Sequence, residues 1–171
     1  FSDLMYEKIA KCLEDMNVGY FMYIGGNDSM DTVSKLSDYY AGKPDAPVVV
    51  GLPKTIDNDL PETDHTPGFG SAAKFVSTVM TEIVRDCAVY TVRAVTIVEI
   101  MGRDAGWLTT AAALPGAISG IGPDYIYLPE RPFSVKQFLD DIREAQNKYY
   151  AVVIAISEGV TPDPKEIGED F

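Results

Sequence analysis

The sequence predicts an α/β protein in which parallel sheets are joined by crossover helices. Short apolar runs of strand length alternate along the chain with amphipathic segments of helix length. The strand runs are continuously apolar rather than alternating, which is typical of parallel strands covered on both faces. We therefore expect sheet that is buried on its two sides.

Local signals place each element in order. Ser2 and Asp3 can cap a first helix, which should end near Gly19, and Ser134 can cap the last helix. The intervening helices should begin after Ser29, near Ser71 and after Arg103. Apolar or β-branched runs predict strands at 20–24, 48–52, 93–100, 125–128 and 151–156.

The long polar loop before residue 69 is the one place where the chain could divide into lobes. We expect two lobes, one at 1–68 and one at 69–171. The sequence begins at Phe1 without an initiator methionine, so we expect an internal segment of a longer protein.

Composition narrows the function classes. The net charge of −12 argues against nucleic acid as a partner, because nucleic-acid binding needs clustered lysine and arginine. No apolar run is long enough to span a bilayer and no leader pattern is visible, so a cytoplasmic protein is the default. Cys12 and Cys87 are expected to be buried, reduced thiols. An acidic protein that handles phosphate usually recruits Mg²⁺.

Polar signatures follow four of the predicted strands. They are Gly25–Ser29, Lys54–Asp59, Met101–Arg103 and Ser157–Gly159. Loops at the carboxyl ends of parallel strands emerge on one side of a sheet, where α/β proteins bind ligands. The shared placement therefore predicts a ligand site more strongly than any one motif does.

Each signature also has a structural explanation. Gly25-Gly26 ahead of a helix suits an approaching anion, but Asp28 or Ser29 could simply cap that helix. Arg103 at a helix start suits a ligand anion, or could instead pair with Asp104 or Glu99.

The remaining signatures are weighed in the same way. Asp57 and Asp59, with Lys54 close by, have the chemistry of a base, a metal ligand and a phosphate-binding cation. Alternatively, Asn58 and Asp59 with the nearby prolines could be turn chemistry. Glu158 could accept hydrogen bonds from a sugar or cap a turn. His65, the one histidine, is assigned no role.

Taken together, the motifs resemble those of the 6-phosphofructokinase family, in its order and at about its spacing over essentially the whole chain. The resemblance implies a phosphofructokinase-like fold and transfer of a phosphoryl group to the 1-hydroxyl of fructose 6-phosphate, with Mg²⁺ and a homo-oligomeric full-length enzyme. It implies that Asp57 is the general base, that Asp59 places the hydroxyl and Mg²⁺, and that Thr55 contacts the transferring group. It implies that the acceptor is bound by Met101, Gly102, Arg103 and Glu158. It further implies two Rossmann-like lobes, of which residues 1–68 are part of the one that binds the donor phosphate and residues 69–171 are part of the one that binds the acceptor.

Within that family, the resemblance points to the pyrophosphate-dependent branch. ATP-dependent members typically carry glycine where this sequence has Asp28 and Lys54. The donor phosphate would be bound by Gly25, Gly26, Asp28 and Ser29, and the metal by Asn27 and Asp28, although many relatives have aspartate in place of Asn27. Lys54 would add charge toward a small inorganic diphosphate.

Three alternatives stay open. The donor could be ATP, the protein could be a non-catalytic subunit that binds a sugar phosphate, or the polar loops could be turn chemistry alone. We also expect the segment by itself to have negligible activity, since the family's first glycine loop lies upstream of it.

Overall fold

The computed structural model describes residues 3–165. Contacts divide the chain into two compact units, Phe1–Thr55 and Ile56–Phe171. The division falls between residues 55 and 56, within the polar loop, and the boundary expected at residue 68 stays a prediction. The assignment of the two halves to donor and acceptor binding stays a prediction.

The first unit is a helix–strand–helix–strand arrangement. It contains α1 (Asp3–Asp15), β1 (Tyr20–Gly25), α2 (Asn27–Tyr40) and β2 (Val48–Pro53). The strands pair in parallel from Tyr20↔Val48 to Gly25↔Pro53, as a crossover helix requires. Buried Ala10, Leu13 and Tyr40 join α1 to α2, and the Tyr40 hydroxyl donates a 2.9 Å hydrogen bond to the Ala10 carbonyl.

One face of this small sheet is apolar and exposed. On the covered face, Phe21 and Val49 pack into the α1–α2 core, and α2 crosses close over Gly51, where an added Cβ would lie 2.8 Å from the Met30 sulfur. On the other face, Met22 and Ile24 are 63% and 65% exposed. The expectation of burial on both faces is therefore wrong for β1, since α1 and α2 pack on one side of it and the side chains on the other side are exposed.

The second unit is built around a three-stranded parallel sheet in the order β3–β5–β4. Its elements are α3 (Phe69–Cys87), β3 (Ala94–Ile100), α4 (Trp107–Thr110), a 3₁₀ turn (Ala111–Ala113), α5 (Leu114–Ser119), β4 (Tyr125–Tyr127), α6 (Val135–Gln146) and β5 (Ala151–Ser157). The central strand, β5, meets the sequence expectation, because its residues are buried on both faces.

The two faces of β5 pack against different helices. Val153 and Ala155 lie in a core with Met80 of α3, whereas Val152 and Ile154 pack with Ala145 of α6. This alternation follows from the two-residue side-chain period of a strand. Ser134 caps α6 as the sequence predicted, since its hydroxyl oxygen accepts a hydrogen bond from the Gln137 amide at 3.2 Å.

Some local details differ from the sequence expectations. The alanine-rich helix is divided by the 3₁₀ turn because Pro115 has no N–H to give the Ala111 carbonyl and its ring crowds that group. Cys87 is buried as expected, but Cys12 is exposed on α1. No helix in the described part of the chain is both long and apolar enough to cross a bilayer.

Core packing in the second unit gives a direct test. Replacing Ile154, which is fully buried, with alanine removes a tightly packed side chain from the central strand. Ile154→Ala should lower the free energy of unfolding by about 2–5 kcal/mol in urea denaturation. The matched Ile118→Ala variant, at a position 81% exposed, should change it by less than about 0.5 kcal/mol. Similar losses for both variants would contradict this assignment of the core.

Candidate functional site

In the first unit, the loops after the two strands lie side by side. Gly25 pairs with Pro53 at the end of the sheet, and the Lys54 amide donates a 2.8 Å hydrogen bond to the Gly25 carbonyl. The Gly25–Ser29 and Lys54 segments therefore share one sheet edge, as predicted for parallel strands.

The glycine pair leads directly into α2, which begins at Asn27. The cap position is Gly26, and no side chain hydrogen-bonds there, so the alternative reading of Asp28 or Ser29 as the N-cap is wrong. A Cβ on Gly25 would collide with the Ser29 side chain, so the loop needs glycine for close packing. A helix N-terminus presents backbone N–H groups to an anion, and Asp28 adds an exposed carboxylate beside them.

The residues after β2 differ in exposure. Lys54 is exposed, whereas the Thr55 side chain is buried at the end of the first unit. The exposed Lys54 ammonium can reach an anion in solution, whereas the Thr55 side chain is packed inside the protein. In the described residues, no group of three or more histidine, cysteine, aspartate or glutamate side chains lies together as a metal site.

In the second unit, Arg103 joins the two aspartates. Its Nη2 lies 3.2 Å from Asp59 Oδ2, and its Nε lies 3.8 Å from Asp57 Oδ2. The expected alternative partners, Asp104 and Glu99, are not the ones that it contacts. Asp57 is 8% exposed, so its carboxylate lies in a recess while the Arg103 side chain remains more than half exposed.

Glu158 fixes the loop that carries Arg103. Its Oε1 accepts hydrogen bonds from the Gly102 amide at 2.8 Å and the Arg103 amide at 2.7 Å. These backbone donors, helped by the Arg103 charge, hold the pKa of the Glu158 carboxyl below its usual range. The turn-cap reading of Glu158 describes this contact, and its predicted role in sugar binding stays a prediction.

The backbone of this loop is unusual. Gly102 has φ 149° and Arg103 has φ 50°, a left-handed conformation that is uncommon outside glycine. A Cβ on Gly102 would collide with the Ala105 carbonyl, and one on Gly159 would collide with the Arg103 carbonyl. Both glycines are therefore required by close backbone approach.

Asn58 has the turn role that the sequence analysis gave as an alternative. It is buried with φ 57°, its Oδ1 accepts from the Thr66 amide at 2.9 Å, and its Nδ2 donates to the Asp64 carbonyl at 3.2 Å. These bonds tie down the loop between Asp57 and Thr66. This role fits the residue type, because asparagine tolerates the left-handed region and bonds readily to nearby backbone.

Met101 lies at the edge of an apolar cavity. The cavity has a volume of about 420 Å³ and lies between α3 and β3, with Ile56, Phe75 and Leu108 among its lining residues. Met101 is 52% exposed. His65 stacks on Phe69 with 6.0 Å between ring centroids, and nothing here gives it a chemical role.

These features define an α/β protein with charged loops at the carboxyl ends of parallel strands. Comparison with known proteins makes the class specific. The sequence model of the family described as Phosphofructokinase matches residues 1–171. The chain belongs to the phosphofructokinase family.

Individual relatives agree with that assignment. A pyrophosphate--fructose 6-phosphate 1-phosphotransferase from Rhodospirillum rubrum is 44% identical over 159 residues, which cover 92% of this chain and 39% of that protein. A sulfofructose kinase from Alkalicoccus urumqiensis is 37% identical over 163 residues, which cover 94% of this chain and 42% of that protein.

A solved structure supports the fold. The crystal structure of a pyrophosphate-dependent phosphofructokinase from Marinobacter aquaeolei is 39% identical, with a TM-score of 0.80 over 92% of this chain and 41% of that one. The parallel sheets and crossover helices predicted from the sequence are therefore confirmed. The chain spans about two fifths of the length of the relatives described here.

The Glu158 contact predicts a pH dependence. A carboxyl whose pKa is lower in the folded protein contributes stability above its unfolded pKa, and the contribution is lost as pH falls through the folded value. Wild type should therefore exceed Glu158→Gln in stability at pH 7, and the difference should shrink on acidification below about pH 4.

The measurement is a carboxyl-carbon NMR titration combined with urea denaturation at several pH values. Glu158 should titrate below the usual range of a glutamate side chain. Titration of Glu158 within that usual range would show that the Gly102 and Arg103 amides do not stabilise its carboxylate.

Proposed function

We propose that this chain is part of an enzyme that transfers a phosphoryl group from pyrophosphate to the 1-hydroxyl of fructose 6-phosphate, giving fructose 1,6-bisphosphate. The observation that carries the proposal is the grouping of Asp57, Asp59 and Arg103 beside the Glu158-held loop. The names of the relatives supply the reaction class. The chain's own residues supply the roles described below.

Asp57 serves as the general base. It is recessed, and its Oδ2 faces the Arg103 guanidinium at 3.8 Å, so it is held in place at the charged end of the unit. As the 1-hydroxyl oxygen bonds to phosphorus, its proton passes to the Asp57 carboxylate. The bond from that phosphorus to the bridging oxygen of pyrophosphate breaks, and the other half of pyrophosphate leaves as phosphate. Asp59 orients the hydroxyl and anchors the guanidinium.

Met101, Gly102, Arg103 and Glu158 form the acceptor site in this proposal. Arg103 offers a planar donor fork to the anionic sugar. Glu158 uses Oε1 for the loop backbone, and its second carboxylate oxygen is available to sugar hydroxyls. One side chain thus both shapes the loop and contacts the substrate.

Gly25, Gly26, Asp28, Ser29, Lys54 and Thr55 form the donor site in this proposal. Glycine backbone N–H groups at the start of α2 and the exposed Lys54 ammonium suit a compact polyanion. The Asp28 carboxylate discriminates against a nucleotide by bulk and charge. Thr55 contacts the transferring group.

The donor residues also fit a magnesium ion that arrives with pyrophosphate. Asn27 and Asp28 offer an amide oxygen and a carboxylate, which are hard ligands, and the single carboxylate matches the way Mg²⁺ binds through substrate phosphates and water. When bound, the ion neutralises phosphate charge. We also propose a cytoplasmic location, from the composition of the chain, and a homo-oligomeric complete enzyme, from the family resemblance.

The assay of the proposed reaction should include one alternative acceptor and one alternative donor. The 37% identity to a sulfofructose kinase makes sulfofructose a competing acceptor, and the family resemblance makes ATP a competing donor. The test is a four-way assay of the complete gene product, pairing each donor with each acceptor. The proposal requires the highest kcat/KM for pyrophosphate with fructose 6-phosphate.

Other results of this assay have definite meanings. A preference for ATP would remove the discriminating role of Asp28 and Lys54. A preference for sulfofructose would reassign the acceptor site. Tight binding of fructose 6-phosphate in calorimetry without turnover would indicate a regulatory subunit.

The role of Asp57 gives a sharper prediction. Asp57→Ser in the complete enzyme should lower kcat by two or more orders of magnitude, roughly the contribution of a positioned base. The matched Asp38→Ser variant, at an exposed position on α2, should retain wild-type turnover. Wild-type kcat in Asp57→Ser, measured with a coupled assay for fructose 1,6-bisphosphate, would remove Asp57 from the mechanism.

A further inference from the structure

A second carboxylate, Glu130, holds the far end of the Arg103 loop. Its Oε1 accepts a 2.7 Å hydrogen bond from the Gly106 amide. Glu130 follows β4, whereas Glu158 follows β5, and β4 and β5 are neighbours in the sheet. Two adjacent strand ends therefore each supply one glutamate to the same short loop.

Close packing shows that this second attachment is built into the fold. An added Cβ on Gly106 would lie 2.6 Å from Glu130 Oε2, 3.0 Å from Leu128 Cδ2 and 3.1 Å from Pro129 Cδ. The segment after β4 thus packs directly on the glycine whose amide it accepts. Gly106 is also the cap position of α4, and no local side chain hydrogen-bonds there.

The loop between the two glutamates needs such support. Arg103 is left-handed at φ 50°, a conformation that a non-glycine residue keeps only when its surroundings hold it. Glu158 fixes the Gly102 and Arg103 amides, and the Ala105 amide donates to the Gly102 carbonyl at 2.9 Å. Without Glu130, the loop would be fixed at one end only.

We propose that Glu130 is a positioning residue that sets the affinity for the acceptor by fixing the distal end of the loop that presents Arg103. The inference rests on the proposed function for the identity of the acceptor. Glu130 acts through the Gly106 backbone. Within the described part of the chain, its side chain makes a single hydrogen bond, which it accepts from the Gly106 amide. Glu130 is neither one of the predicted acceptor-binding residues nor the predicted general base.

The kinetic test uses the complete gene product with Glu130→Ala and Glu130→Gln. Glu130→Ala should raise KM for fructose 6-phosphate about tenfold while kcat falls by less than about threefold, because the chemistry of Asp57 is unchanged. Glu130→Gln keeps a neutral acceptor for the Gly106 amide and should show a smaller rise. Glu82→Ala, on an exposed part of α3, is the matched control and should behave as wild type.

A spectroscopic test separates loop positioning from catalysis. Trp107 follows Gly106 directly, so 5-fluorotryptophan at this position reports on the distal end of the loop. Its ¹⁹F resonance, assigned with Trp107→Phe, should shift or broaden in Glu130→Ala and stay unchanged in Glu82→Ala. Thermal denaturation of each variant identifies any that fail to fold, in which case Glu130→Gln provides the test.

The outcomes distinguish this inference from the proposed function. A folded Glu130→Ala protein with an unchanged Trp107 resonance overturns the positioning role, whatever its kinetics. A KM for fructose 6-phosphate equal to wild type also overturns it. If wild type neither binds nor phosphorylates fructose 6-phosphate, the proposed function fails, while the Trp107 resonance still decides whether Glu130 positions the loop.

Discussion

The charged site of the second unit depends on one constraint. Glu158 accepts hydrogen bonds from two consecutive backbone amides, those of Gly102 and Arg103. Glu158 lies 55 positions after Arg103 and 56 after Gly102 in sequence. The parallel pairing of β3 with β5 brings these residues together. Because the carboxylate fixes the Arg103 backbone, the guanidinium can reach Asp59 and Asp57 from a defined position. An exposed ion pair alone contributes about 0–1 kcal/mol, too little to organise such a loop.

Sequence patterns predicted the parallel α/β fold because they report local periodicity and burial. The β5 run Val152–Ala155 is buried as its composition indicates. The same reasoning was wrong for Met22 and Ile24, since composition does not say which packing partners are present on each face. The division of the alanine-rich helix ahead of Pro115 was recognisable in principle, because proline disturbs the preceding turn.

For the site, sequence predicted the residue types better than their partners. The positions of Asp57, Asp59 and Arg103 after strands were informative, but the pairing of Arg103 across 44 residues with Asp59 needed the fold. Glu130 was passed over for the same reason, because nothing near it in sequence marks Gly106 as its partner. The turn role of Asn58, by contrast, could be anticipated from local sequence alone, because asparagine readily adopts the left-handed backbone found there.

The left-handed backbone of Arg103 has a consequence for attempts to engineer this protein. Glycine or asparagine would relax the main chain there, so a search for thermostable variants would favour removing the arginine. Such a variant would keep the turn and discard its cation. Under the proposed function, tolerance of heat and binding of the acceptor would thus be set against each other at a single residue, and selection for one alone would erode the other.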